Sequence, residues 1–198
     1  MSITHNHFKI YKPYGFLSQF IYSGKRKKGL LGTLHDFPKG TMSVGRLDEP
    51  SEGLLILTTD GKMSEAIRSK KVEKEYLVQV DGEITAEAID RLQKGVEISV
   101  DKSNYATKPG KAKLIATPPK LPVRGKKIRD DRHGPTSWAS ITITEGKFRQ
   151  VRKMTAAVGF PTLRLIRIRI GSIELDDLDA GEVRELDLTS FDSLRNSP

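Results

Sequence analysis

Apolar and polar positions along the chain alternate with several different periods, and each period predicts a different kind of element. Phe8 to Tyr11 reads as a short strand that runs into Lys12-Pro13-Tyr14-Gly15, a turn by its proline and glycine. Leu17 to Tyr22 is expected to be the next strand. Gly53 to Thr59 is continuously apolar and predicts a buried strand. Asp60 is placed to N-cap a helix over Lys62 to Lys70, with Met63, Ala66 and Ile67 on one face. Lys74 to Val80 alternates as a strand and stops at Asp81-Gly82. Thr85 looks like a second N-cap, Ile89 and Leu92 give the stripe of the helix it opens, and Gly95 suits its C-terminal end. Val96 to Val100, Tyr105 to Thr117 and Trp138 to Thr144 read as strands, Arg149 to Val158 as a helix closed by Gly159, and Leu163 to Ile170 as a strand. On that last strand Arg164 and Ile166 share one parity, and Leu165, Arg167 and Arg169 the other. Many strands and about three helices, without regular βαβ repetition, predict an α+β fold with a mixed, mostly antiparallel central sheet and flanking helices.

The 198 residues suit one domain or two small lobes sharing a sheet. Pro118 to Pro135 is rich in Pro, Lys, Arg and Gly and is expected to be a mobile basic loop. Residues 190–198 are expected to form a loose tail. No apolar run is long enough for a membrane span, and Met1 to His7 lacks the apolar core of a signal peptide, so a cytoplasmic location is expected.

Composition narrows the chemistry. Cysteine is absent, which excludes disulfides, thiol catalysis and cysteine-bound zinc. The histidines are His5, His7, His35 and His133. Their one ligand-like spacing is the terminal His5-x-His7, which is expected to lie in a frayed tail rather than a metal site. Lys and Arg number 34 against 25 Asp and Glu, a net charge of +9 that favours a polyanionic partner. No basic amphipathic helix is present to suit a membrane surface, so nucleic acid is favoured. Nothing in the pattern calls for an exposed apolar interface, and a monomer is expected.

Gly45-Arg46-Leu47-Asp48 leads into Glu49-Pro50-Ser51-Glu52-Gly53 and then the apolar run to Asp60-Gly61. A carboxylate at a strand edge beside an arginine can be fixed in place and kept ionised, so it can serve as a nucleophile. The string resembles the signature of the RsuA/RluE-type pseudouridine synthases, with Ser51 where Thr is common and Thr59 where Asn is common. Lys12-Pro13-x-Gly15, Lys74-Glu75-Tyr76-Leu77-Val78 and the run from Glu145 to Met154 resemble three further segments of that family, in order and spacing, so that the matches extend over about residues 9–186. The run Met154 to Arg167 looks most like the RluE branch, which modifies large-subunit (23S) ribosomal RNA. Many relatives carry an N-terminal S4-type RNA-binding module. This chain starts close to the catalytic motif, and none is expected.

The resemblance implies the pseudouridine synthase fold, with a catalytic cleft across the sheet. It implies Asp48 as nucleophile, Tyr76 as the ring stacked on the target base, and Arg152 as the arginine paired with the nucleophile. Val151 would lie beneath the base, Arg46 would hold phosphate or the flipped nucleotide, and Lys12, Lys74, Arg149 and Lys153 would contact RNA. The basic runs Lys25 to Lys28 and Lys120 to Arg132 would clamp its backbone, with Arg164, Arg167 and Arg169 as further contributors. The reaction needs no metal and no cofactor. Three routes fit a single aspartate: attack at C1′, attack at C6, or a glycal. A glycoside hydrolase would want two carboxylates across the bond, and neither Glu49 nor Glu52 has reason to face Asp48. Competing readings are a pseudouridine synthase acting on tRNA or small-subunit RNA, and a non-catalytic RNA-binding protein of the same fold.

Overall fold

The computed structural model describes residues 5–69, 72–117, 120–129 and 131–187. In chain order the strands and helices are β1 (His7–Lys12), β2 (Phe16–Leu17), β3 (Gly29–Leu30), β4 (Met42–Ser43), β5 (Glu52–Thr58), α1 (Gly61–Ser69), β6 (Lys74–Asp81), α2 (Ala86–Lys94), β7 (Glu97–Val100), β8 (Ser103–Ala106), β9 (Lys111–Ile115), β10 (Thr136–Ile143), α3 (Gln150–Ala157), β11 (Thr162–Ile170), β12 (Ile173–Glu174) and β13 (Val183–Glu185). The class is α+β, as the pattern predicts. The chain divides into two compact units. Unit 1 holds residues 1–72, 122–125 and 167–198, and unit 2 holds 73–121 and 126–166. The predicted tail at 190–198 and Lys70, the predicted end of the first helix, lie outside the described residues.

In unit 1, β1 runs antiparallel between β5 and β13, so that Phe8 faces Leu57 on one side and Glu185 on the other. Every residue of β1 and β5 is buried. Phe8, Ile10, Leu31, Leu55 and Leu57 form one core cluster, against which Phe20, Leu34, Phe37 and Val183 pack. Phe37 stands edge-on to both Phe8 and Phe20, with centroids 5.4 and 5.5 Å apart.

That packing corrects the predicted strand at Leu17 to Tyr22. Only Phe16 and Leu17 are extended, paired in parallel with Gly29 and Leu30. Phe20 then packs on the cluster, while Ile21 and Tyr22 are exposed. An apolar run becomes a strand only where a partner edge continues beside it, and the β2–β3 ladder ends after two residues.

The His5-x-His7 pair is not in a frayed tail. His7 begins β1, is buried, and its Nδ1 lies 2.8 Å from Thr58 Oγ1. Helix α1 starts as expected, with Asp60 Oδ1 accepting from the Lys62 and Met63 amides.

In unit 2, β10 lies antiparallel between β6 and β9. The Thr85 hydroxyl accepts from the Ala88 amide and opens α2. Gly95 ends it at φ 92°, where a Cβ would sit 2.3 Å from the Thr107 carbonyl oxygen.

The single strand expected over Tyr105 to Thr117 is two strands, β8 and β9. The break falls at Pro109, which has no N–H to give a ladder. The amides on either side bond elsewhere, Thr107 to the Val96 carbonyl and Gly110 to the Gln93 carbonyl. Strands β7 and β8 form a hairpin whose turn residues, Asp101 and Lys102, both have positive φ (50° and 66°), as a two-residue primed turn requires.

Helix α3 begins one residue later than predicted, because Arg149 is left-handed at φ 53°. Strand β11 begins in unit 2 and ends in unit 1, where Arg169 and Ile170 pair with β12. Among the described residues no helix is long and apolar enough to cross a membrane.

Candidate active site

Unit 1 carries Asp48 on the connection between β4 and β5, where it is half-buried. The residues on both sides of it are tethered. On one side, the Ser18 hydroxyl accepts from the Leu47 amide and donates to the Leu47 carbonyl, both at 2.9 Å. On the other, the Gly15 amide donates to the Glu49 carbonyl at 2.9 Å. The Asp48 carbonyl itself accepts from the Ser51 amide, which closes a turn. Leu47 and Ser18 are buried, so these bonds are made out of water, where leaving one unmade is costly.

Lys12, expected among the RNA contacts, is fully buried and has no surface from which to reach a phosphate. Its ammonium donates to the carbonyls of Phe16 and Pro13, at 2.7 and 2.9 Å, and more weakly to that of Glu49 at 3.5 Å. It therefore braces the Lys-Pro-x-Gly turn against the segment that carries Asp48. Burial pushes its pKa down to about 7, opposed by the carboxylates of Glu52, Asp48 and Glu49 and reinforced by the Arg167 guanidinium.

The two other carboxylates near Asp48 in sequence have cations of their own. Glu49 receives two bonds from Lys28 Nζ, at 2.6 and 2.8 Å. Glu52 is the buried first residue of β5, with Arg124 Nε 3.8 Å away. Arg124 also lies over the Tyr14 ring, with its guanidinium carbon 4.2 Å from the ring centroid. Neither carboxylate is left over as the second acid of a hydrolase.

The cations expected to clamp RNA therefore divide. Lys25, Arg26 and Lys27 are exposed, as are Lys120, Lys126 and Lys127, and Arg46 also faces solvent. Lys28 and Arg124 are engaged as described, and Arg129 donates to Asp81 and to the Pro135 carbonyl. Arg167 is buried and donates through Nε to the Leu54 carbonyl at 2.8 Å, and Arg169 donates to the Gly171 carbonyl. Arg164 is also buried. Burial of Arg164 and Arg167 corrects their expected place on an RNA-facing surface, while Arg169 is half-buried.

Unit 2 carries the other expected residues. Tyr76 is buried in β6, opposite Ile141 of β10, and Lys74 stands half-buried at the start of that strand. Helix α3 holds Val151, which is buried, and Arg152 and Lys153, which are half-buried. Arg149 is exposed just before it. The Glu145 carboxylate fixes the approach to α3 by accepting from the Tyr105 hydroxyl, the Lys108 amide and the Gln150 amide nitrogen. The bonds it receives hold its pKa below the usual carboxylate range against the opposing effect of burial.

Reading by sequence missed Ser18, the Tyr14–Arg124 stack and the Glu145 anchor. Ser18 and Arg124 have no local signal, since their partners lie far off in the chain. Glu145 does have one, a Glu five residues before Gln150 in a helix-entry turn. Among the described residues no group of three or more His, Cys, Asp or Glu side chains is placed to hold a metal.

Comparison with known proteins bears on what these parts do. The family model described as "RNA pseudouridylate synthase" matches residues 6–157. "Ribosomal large subunit pseudouridine synthase E" of Vibrio parahaemolyticus is 42% identical over 181 residues, which cover 89% of this chain and 72% of that protein. The protein of the same name from Xanthomonas axonopodis pv. citri is 42% identical over 171 residues, 84% of this chain and 86% of that one. "Ribosomal large subunit pseudouridine synthase B" of Bacillus subtilis is 31% identical over 91% of this chain and 67% of its own length. A crystal structure of a pseudouridylate synthase superposes with a TM-score of 0.74 at 29% identity, covering 96% of this chain and 74% of that one.

Proposed function

Since the chain belongs to the RNA pseudouridylate synthase family, we propose that it isomerises one uridine of large-subunit (23S) ribosomal RNA to pseudouridine, with Asp48 as the nucleophile. The N1–C1′ bond breaks, the uracil turns, and C5 joins C1′. The proton on C5 leaves and N1 takes one up, so atoms and electrons balance without an acceptor, a redox step or a metal. A uridine in a helix is shielded by its stack and must be flipped out to react. Tyr76 stacks on the flipped base, and its hydroxyl serves the proton transfer at C5. Val151 supplies apolar surface to the base. Arg152 is the cation partner of the nucleophile, and Arg46 holds the nucleotide in its flipped position. Lys74, Arg149 and Lys153 contact the RNA, and the exposed cations at 25–27 and 126–127 hold its backbone. The protein acts as a monomer in the cytoplasm, and its 198 residues form a single catalytic domain.

The observation that supports this reading best is the pair of tethers on the neighbours of Asp48, Ser18 to Leu47 and Gly15 to Glu49. A nucleophile must be held within a fraction of an ångström of its productive position, and its rigidity comes from the backbone on each side. The reading is tested with Asp48→Asn. This variant should form no pseudouridine in a large-subunit RNA transcript and should still bind it. Normal turnover by the variant would refute Asp48 as nucleophile. Pseudouridine mapping in a strain lacking the gene should then reveal one mark lost from large-subunit RNA. A mark lost from tRNA or small-subunit RNA would redirect the substrate, and an unchanged map would favour a non-catalytic binder.

A further inference from the structure

We propose that Phe148 is a stacking platform for an unstacked RNA base that flanks the target uridine, with Lys147, Arg149 and Lys153 holding the phosphates on either side. This inference rests on the function proposed above and adds to it a contact outside the catalytic trio.

Phe148 is two-thirds exposed (67%) in a unit whose other large apolar side chains are mostly buried. A lone exposed aliphatic residue is ordinary, but an aromatic ring left two-thirds in water forfeits a large burial gain and offers a face on which a partner can dock. The ring does not hang on a loose loop. The Lys147 amide donates to the Gln150 side-chain oxygen, and the Gln150 amide donates back to the Lys147 carbonyl. Glu145 anchors the segment from below through Tyr105, Lys108 and Gln150. Arg149 sits at φ 53°, a left-handed conformation that a residue with a Cβ keeps only where its surroundings enforce it. The aromatic is thus presented on a fixed turn.

The surroundings of the ring identify the partner. From Gly146 to Lys153 the chain carries Lys147, Arg149, Arg152 and Lys153 and no carboxylate. Lys153 Nζ lies 5.4 Å from the Phe148 ring centroid, and Lys147 Nζ lies 4.7 Å from that of Tyr105. A protein partner would be expected to meet an aromatic anchor with apolar neighbours around it, whereas a ring set among cations suits a base with phosphates beside it. Stacking is tolerant of sequence, so the platform would steady the RNA strand without reading it. The turn leads directly into α3, which carries Val151 and Arg152, so the stacked base would be a near neighbour of the uridine that those residues serve.

The test uses the full chain and a large-subunit RNA transcript, with binding read by anisotropy and turnover by pseudouridine formation. Phe148→Ala should weaken RNA binding roughly tenfold and raise KM in step, with the loss falling on KM rather than kcat. Phe148→Leu, which keeps apolar bulk but has no ring face, should fare little better. Phe148→Trp should restore binding. Leu114→Ala, at a half-exposed apolar residue of β9, is the control and should change neither quantity. The salt dependence of binding should keep its slope in Phe148→Ala and flatten by about one in Lys147→Ala. Equal binding by Phe148→Ala and wild type, or by Phe148→Leu and wild type, overturns the inference. Wild-type protein that binds the transcript and forms no pseudouridine overturns the proposed activity and leaves the binding comparison at Phe148 standing. Wild-type protein that does not bind it overturns both.

Discussion

Three cations of unit 1, Lys12, Lys28 and Arg124, and the cations ahead of α3 in unit 2 are put to opposite uses. Around the Asp48 segment, Lys12 is fully buried and Arg124 lies against Tyr14, while Lys28 spends its charge on Glu49. Each of these side chains is consumed in holding backbone or a carboxylate. At the entrance to α3, Lys147 and Arg149 are exposed beside an exposed ring, and the Glu145 carboxylate that precedes them accepts from neutral donors. The same residue types therefore build a scaffold in one place and present a charged surface in the other. What separates them is what each can reach: a buried ammonium surrounded by carbonyls is a structural part, and an exposed one without a carboxylate partner is available to a polyanion.

The largest effect that could break this contrast concerns Lys12. Its pKa is near 7 in the folded protein against 10.5 as the ordinary value, so between these limits the unfolded chain binds more protons than the folded one. The contribution of Lys12 is thus unfavourable below about pH 7 and is relieved as pH rises. Urea denaturation at pH 6 to 10 should show wild-type stability rising with pH relative to Lys12→Met, by up to about 5 kcal/mol over the full window. Parallel curves would mean that the ammonium is not confined as described.

A smaller effect is expected at Ser18. Ser18→Ala leaves the Leu47 amide and carbonyl without their shared hydroxyl, which should cost about 2 kcal/mol. Calorimetry should register a fall in Tm of roughly 4–8 °C. Because Leu47 precedes Asp48, turnover should fall even at temperatures where the variant is fully folded. A variant that loses stability and keeps kcat would separate the tether from the chemistry.

The smallest effect sharpens the contrast within one loop. Arg124→Ala should lower stability by about 1 kcal/mol and leave the salt dependence of RNA binding unchanged. Lys126→Ala with Lys127→Ala should do the reverse, with unaltered stability and a binding slope reduced by about 2. Denaturation and salt titration of both variants decide it.

The parts of the fold that sequence revealed are those set by neighbours in the chain. The run from Gly53 to Thr59 is apolar enough to be recognised as buried, and the strand observed is Glu52–Thr58; Thr85 with Gly95 marks both ends of α2. The candidate nucleophile Asp48 is singled out for the same reason, since its motif is contiguous. The missed features depend on distant pairings. Ser18 meets Leu47 across 29 residues, and Lys12 meets Glu49 across 37, and neither approach leaves a local signature. Phe20 belongs to an apolar run that reads as a strand, and only its packing on Phe37 shows that it is a partly buried residue of an irregular segment held against the core. In the basic loop, Arg124 and Lys126 differ in nothing that composition registers. The break at Pro109 was an error of a different kind, because a proline inside a proposed strand was the signal.

The hairpin between β7 and β8 turns through Asp101 and Lys102, two residues that each hold a backbone angle better suited to asparagine or glycine. Neither takes part in the proposed chemistry. That leaves a place where the protein can be made sturdier at no expense to its activity, by relaxing the turn with Asp101→Asn and Lys102→Gly. Such a reinforced background would let damaged active-site variants stay folded long enough for their catalytic defects to be measured separately from collapse.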